Sequence, residues 1–280
     1  MYADDTVLYT HAENKQLAAE KLNAAMVHVS DWLRNSCLHL NTNKTVCMFF
    51  SRKSTESDPD IVINGNSIQV VSEFKYLGII LDSNLTFKKH AKKVENTIKF
   101  NLANFRHIRP YLTIDAAKLF MHAMIFSHIT YCFTTWSQAN QTTLKPIESL
   151  YKQTLKTLDQ KPNRYHHCHI VQKYNLFTFD SFKHFLDACL IFKIINGLAP
   201  PPLNRFIKRN ESGLRTTRAT ARGDCEVPFR QSVFGETVFS VRGSHHWNSL
   251  PNEIRVTTNY STFKFNLKRW LKANQICNHG

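Results

Sequence analysis

The chain begins Met1-Tyr2-Ala3-Asp4-Asp5-Thr6-Val7-Leu8-Tyr9. Two adjacent carboxylates between an aromatic residue and a β-branched run are a poor local choice, because aspartate is depleted in strands and neighbouring like charges repel. Such a conflict between local propensity and strand position is the mark of a functional site. The chemistry that wants this turn is divalent-metal binding. Hard oxygen ligands at a hairpin tip hold Mg²⁺ through one or two carboxylates and leave the rest of its shell to water and phosphate. The plain alternative is an exposed Asp-Asp turn ahead of an ordinary strand, Thr6–Thr10, since such pairs are common turn chemistry.

Outward from this turn, apolar residues from Leu17 to Leu33 recur at three- and four-residue spacing, which predicts a helix from about Asn14 to Asn35. Thr45 to Phe50 reads as a buried strand. Ile61-Val62-Ile63 and Ser67-Ile68-Gln69-Val70 flank Asn64-Gly65, a hairpin signal because both turn positions accept positive φ. Phe74 to Asp82 reads as a strand pair, or as one strand with a bulge at Gly78, where a missing side chain permits close backbone approach.

From Leu85 the pattern turns helical. Phe87 to Ile108 sets Lys88, Lys89, Lys92, Lys93, Lys99 and Arg106 against Val94, Ile98, Leu102 and Phe105. Ala116 to about Trp136 is apolar almost all round and is expected at the centre of a bundle. Gln141 to Leu158 is a third helix, and Phe177 to Gly197 a dense core helix closed by Asn196-Gly197. His166-His167-Cys168-His169 invites a metal reading. On a helix only His166 and His169 would share a face, and nearby ligands to complete a tetrahedral site are lacking, so a partly buried helix start with exposed histidines fits better. Pro200-Pro201-Pro202 marks a stop. The polar segment after it carries Arg205, Lys208, Arg209, Arg215, Arg218, Arg222 and Arg230, as a surface loop or one that orders against phosphates. A terminal helix with Phe263, Phe265, Leu267, Trp270 and Leu271 closes the chain.

Composition narrows the function classes. No run approaches the roughly 18 apolar residues of a membrane span. Asp4 and Asp5 stand where a signal peptide would carry positive charge, so the expectation is an intracellular, nuclear or cytoplasmic protein that is not secreted. Seven scattered cysteines without a CxxC pair read as reduced thiols. The net charge of +15 is unevenly placed: residues 1–86 balance at −3 and residues 87–280 at +18. A surplus confined to one part of the chain and interleaved with aromatics points to a polyanion partner, nucleic acid above all.

Three motifs in order carry a family resemblance. Tyr2-Ala3-Asp4-Asp5-Thr6 resembles the Tyr-x-Asp-Asp box of reverse transcriptases, and Phe74-Lys75-Tyr76-Leu77-Gly78 resembles their primer grip. The tail is similar to the C-terminus of non-LTR (LINE-type, jockey-like) retrotransposon polyproteins. It reads Arg222-Gly223, Phe234-Gly235, Ser240-Val241-Arg242-Gly243, Trp247-Asn248-Ser249-Leu250-Pro251, Ile254-Arg255 and Phe263-Lys264. The resemblance implies an α+β fold: the C-terminal remnant of a polymerase palm (β-hairpin, helix, strands), then a mainly helical thumb and C-terminal region. The implied divisions are a partial palm at 1–86, a thumb-like region at 87–160 and a basic helical and loop region at 161–280.

By the same resemblance, Asp4 and Asp5 are catalytic metal ligands for Mg²⁺ in the intact parent enzyme. Phe74, Lys75, Tyr76, Leu77 and Gly78 grip the primer. Lys88, Lys89, Lys92, Lys93, Lys99, Arg215, Arg218 and Arg222 are the expected phosphate contacts to RNA template and DNA primer. The departure concerns what precedes the box: in the family, fingers and a front palm with another metal-binding aspartate come first, and Met1 stands as if a reading frame opened at an internal methionine. Two-metal phosphoryl transfer clamps ions about 3.5–4 Å apart, which two aspartates alone do not build. The expectation is a catalytically incomplete RNA-directed DNA polymerase fragment. The alternatives are a non-catalytic nucleic-acid-binding module or a functionless remnant of a decayed element.

Overall fold

A computed structural model describes residues 5–51, 57–210 and 223–275. The chain is α+β and forms two compact units, Met1–Phe87 and Lys88–Gly280.

The first unit is built on helix α1 (Lys15–Asn35), which starts where Asn14 accepts the Leu17 amide at 2.8 Å. That bond satisfies one of the orphan donors of the first turn. The helix lies on a sheet of strand order β1-β3-β2, formed by β1 (Val46–Cys47), β2 (Ile61–Ile63) and β3 (Asn66–Val70). β1 runs parallel to β3, whereas β2 and β3 form a hairpin in which Val62 faces Ser67. Its two-residue turn has Asn64 at φ 51° and Gly65 at φ 78°, the left-handed pair that matches the twist of a hairpin. Ala19, Phe49, Ile61, Ile63 and Ile68 form the core, with Leu22 and Met26 of α1 against them. A second hairpin follows, β4 (Glu73–Tyr76) and β5 (Ile79–Asp82).

Two strand expectations are corrected here. Residues 6–10 form no ladder; only Asp5 makes an isolated bridge, and Val7, Leu8 and Tyr9 are exposed. A strand is stable only with a paired backbone and a covered face, and among the described residues no strand supplies either. The expected strand over 45–50 is reduced to Val46–Cys47, because it is an edge with β3 as its single neighbour.

The second unit is helical. Helix α2 (Lys88–Ile108) packs against α6 (Gln141–Leu158), burying Ile98, Leu102 and Phe105 of the first and Ile147, Tyr151 and Leu155 of the second. Between them, α3 (Ile114–Phe120) passes through a π-helical stretch, Met121–Phe126, into α4 (Ser127–Thr130). The single helix expected to Trp136 breaks at Tyr131–Cys132. Cys132 takes φ 49°, which turns the chain into α5 (Phe133–Trp136), and the Trp136 indole donates to the carbonyl that the break leaves at Tyr131 (2.9 Å). This stretch is not apolar on all sides in effect either, since Leu119 and Tyr131 face solvent.

Beyond α7 (His167–Lys173), helix α8 (Phe179–Ile195) anchors a second core. Around it fold α9 (Val233–Thr237), α10 (Phe239–Asn248), α11 (Asn252–Arg255) and α12 (Tyr260–Asn274). Phe192 stacks on Phe263 at 4.3 Å, and Trp247, Leu267 and Leu271 close the cluster. Phe265, on the other side of α12, faces solvent.

Candidate nucleic-acid interface

The residues of the grip-like element sit on the β4–β5 hairpin. The register Phe74↔Leu81, Lys75↔Ile80 and Tyr76↔Ile79 leaves Leu77-Gly78 as a two-residue turn, with φ 44° and 85°. Of the two forms the sequence allowed, a strand pair and a bulged strand, the pair is the one that forms. Gly78 has no Cβ to clash in that conformation, whereas Leu77 carries the local strain of a left-handed L-residue. Phe74 and Lys75 are exposed, and Lys75 has no ion-pair partner among the described residues. The strand that leaves the hairpin is fixed by Asp82. Its carboxylate accepts the amides of Asn84 (3.2 Å), Thr86 (2.9 Å) and Phe87 (2.8 Å) and the Thr86 hydroxyl (3.1 Å). Sequence reasoning missed this role, although an aspartate just ahead of a helical pattern is its usual signal.

Lys88, Lys89, Lys92, Lys93 and Lys99 are all exposed on α2. Helical geometry puts Lys88, Lys92, Lys99 and Arg106 along one line of the helix, with Lys89 and Lys93 on its flank. Glu95 interrupts the line: Lys99 reaches it at 2.5 Å and Lys92 at 3.0 Å. The Lys99 hydrogen bond leads in holding the Glu95 carboxyl below its ordinary range, against burial and with help from Lys92. Lys92 and Lys99 therefore share one carboxylate.

Asp5 is exposed, and Asp4 lies outside the described residues, as do Arg215, Arg218 and Arg222. Among the described residues no group of three or more His, Cys, Asp or Glu could hold a metal ion. In the histidine run, His166 caps α7 and its Nδ1 meets the Cys168 sulfur at 2.7 Å, a local turn contact; of the histidines expected to be exposed, His169 is, whereas His167 is buried because the first turn of α7 packs it inward.

The tail motifs do structural work. Trp247 is fully buried and its indole donates to the Gly223 carbonyl (3.3 Å). Asn248 grips Cys225 at both ends, accepting its amide (2.8 Å) and donating to its carbonyl (2.9 Å). Arg255 pairs with Asp224. These contacts hold 224–226 against 208–210, where Asn210 donates to Asp224 (3.0 Å) and Glu226 to Lys208 (2.8 Å).

Deeper in the same unit, Arg242 forks onto the fully buried Asp187 through Nε (2.7 Å) and Nη2 (3.1 Å), and His246 Nδ1 lies 3.0 Å from the same carboxylate. Burial alone would raise the Asp187 carboxyl, but His246 and Arg242 hold it below its ordinary range. The sequence signal for this network was a lone carboxylate inside the apolar run of α8, which is tolerable only if paired. Lys183, on the same helix, is pushed down to about 8 by burial and by Arg242.

With this geometry in hand, comparison with known proteins gives a class. The chain is similar to the RNA-directed DNA polymerases of non-LTR retrotransposons across more than half its length. The polymerase from mobile element jockey of Drosophila melanogaster is 25% identical over 164 residues, 58% of this chain and 18% of that protein. The probable polymerase from transposon X-element of the same fly is 21% identical over 162 residues, 56% of this chain and 18% of that protein. The Pol polyprotein from retrotransposable element R1 of Bradysia coprophila is 31% identical over 91 residues, 32% of this chain and 9% of that protein. The chain spans less than a fifth of the length of each of these three relatives. No protein-family model and no solved structure matches it. No helix of the described residues is long and apolar enough to cross a membrane.

Proposed function

We propose that this chain is the palm-to-tail portion of an RNA-directed DNA polymerase of a non-LTR retrotransposon. In this reading residues 1–86 are part of the palm, 87–160 the thumb and 161–280 the basic C-terminal region. The observation that carries it is the similarity to three element polymerases at 18% of their length or less, joined to a hairpin that exposes Phe74 and Lys75 beside a two-residue Leu-Gly turn. Lys75 and the backbone at Gly78 would hold the primer strand, and the α2 lysines and Arg215, Arg218 and Arg222 would contact phosphates. Asp4 and Asp5 would ligate Mg²⁺, which in a complete centre supplies charge stabilisation for phosphoryl transfer. Two carboxylates do not clamp two ions, so the 280-residue chain is expected to bind primed template without extending it.

A second reading, a binding module that never catalyses, is favoured by the +18 balance of residues 87–280. One experiment tests both readings against no function. The purified chain is offered primed RNA template, dNTPs and Mg²⁺, and binding and extension are read together, with Lys75→Gln alongside. The expected result is binding, weakened in Lys75→Gln, with no extension. Extension would overturn the incomplete-centre reading, and equal binding by Lys75→Gln would remove the hairpin from the interface.

A further inference from the structure

The α2 and α6 helices end side by side around an open cleft of about 440 Å³, within the range of small-ligand sites. Arg106, Arg109, Lys156 and Lys161 line it, together with Gln160 and Asn163, and no carboxylate does. None of these residues was singled out from the sequence as a binding residue. We propose that this cleft grips the sugar-phosphate backbone of a single-stranded nucleic acid, with Tyr111 as the stacking surface for an adjacent base. The proposal rests on the nucleic-acid reading above and adds the strand type and the place.

The end of α6 should repel an anion, because the last carbonyls of a helix carry partial negative charge. Here that charge is covered. Arg109, nearly buried, donates Nε to the Leu158 carbonyl (2.7 Å) and Nη1 to the Leu112 carbonyl (3.0 Å). Its Nη2 has no partner among the described residues. The turn after α6 is closed by the Gln160 amide on Thr157 (3.1 Å) and the Lys161 amide on Lys156 (2.9 Å), which brings Lys161 back to the cleft wall. Lys156 is held by the Asn163 carbonyl (2.5 Å) and Arg106 by Gln153 (3.0 Å), so the cations are positioned by neutral groups and keep their charge. The nearest carboxylate in sequence, Asp159, spends its hydrogen bonds on Lys173 and the Tyr174 hydroxyl at 2.6 Å each, and Lys161 of the cleft acts on it only through space.

Two further observations select a strand over a free anion. Arg106 is the last member of the α2 line that begins at Lys88, so the cleft terminates a basic line about 27 Å long that only Glu95 interrupts. Tyr111, next in the chain to the cleft residue Pro110, is 87% exposed. An aromatic face beside phosphate-binding cations is the arrangement that holds unpaired nucleotides, since every base has a face to stack. A cleft of this size takes the backbone of one strand.

The test uses the full chain with a labelled single-stranded oligoribonucleotide, its duplex and AMP as probes. Arg106→Gln with Lys161→Gln, both exposed positions, should weaken single-strand binding roughly tenfold or more and lower the salt slope by about 1.4, at about 0.7 per phosphate. Tyr111→Ala should weaken it about tenfold without changing the slope. Duplex binding should change little in either variant. Wild-type-like single-strand binding by the double variant, in a chain that does bind nucleic acid, overturns the cleft alone. A wild-type chain that binds no nucleic acid overturns the cleft and the broader reading together. Displacement of the oligonucleotide by AMP at comparable affinity would make this a mononucleotide pocket and not a strand site.

Discussion

Helices α1 and α2 are both 21 residues long, yet α1 buries only Ala19 and Ser30 whereas α2 buries eight residues from His90 to Phe105. Both sequences carry a helical apolar stripe, so the contrast lies in what surrounds each helix. The α1 unit rests on a small sheet and leaves Leu17, Val27 and Trp32 to solvent, along with Val7, Leu8 and Tyr9. The α2 unit closes around stacked aromatics and a buried Arg-Asp-His network. Periodicity announces a helix and its apolar face; it does not say whether a partner covers that face.

The contrast can be broken most sharply by core truncation. Trp247→Ala and Asp187→Ala should each cost roughly 3–5 kcal/mol, the first by leaving a cavity and the second by stranding Arg242. Trp32→Ala, at a residue 54% exposed, should stay within about 0.5 kcal/mol. Denaturant midpoints measure all three, and a Trp32 cost equal to that of Trp247 would erase the distinction between the units.

Acid should act on the second unit. His90, His167 and His184 are each lowered to about 4, by burial first and then by the neighbouring charges of Lys93, Lys152 and His246 respectively. They are neutral when folded, while the unfolded chain takes up protons near the ordinary 6.5. The unfolded state therefore binds more protons between pH 6.5 and about 4, and the stability present above 6.5 is lost as pH falls through that window. The loss is at most about 1.4 kcal/mol per pH unit for each histidine. Urea melts from pH 7 to 4 should show it, and His184→Gln should flatten the slope. A pH-independent midpoint would contradict the burial of these rings.

A local effect is expected at a turn. Gly78 sits at φ 85°, so Gly78→Ala should cost about 1–2 kcal/mol locally and loosen the hairpin that presents Lys75. Hydrogen exchange of the β4 and β5 amides reads this directly, with unchanged protection as the contrary result.

Much of this was legible beforehand, for identifiable reasons. The Asn64-Gly65 turn announces itself because few residues accept positive φ, whereas the stretch around Gly78 was legible only as a strand pair or a bulged strand. The starts of α1 and α6 were legible from where their apolar patterns begin, and the Asn14 and Asn140 side chains cap them there. The break at Cys132 was not legible, because a cysteine in the left-handed region has no propensity signal and is held by the Trp136 bond to Tyr131. Nor was the strand at 6–10, whose alternation says strand but whose ladder depends on neighbours that local sequence does not name. The roles of Asn248 and Arg242 were hidden because their partners, Cys225 and Asp187, lie far away in the chain. The cleft was hidden for the same reason: Arg106 and Lys161 come together only once α2 and α6 pack.

The central claim, a nucleic-acid-binding portion of an element polymerase, rests on charge placed to meet phosphates. Its most direct test is the affinity of the full chain for primed RNA template between about 50 and 200 mM salt. The account predicts a linear fall of log affinity with log salt, steep enough to lose roughly a thousandfold if six phosphates are engaged. Binding that is absent, or that does not change with salt, would contradict it.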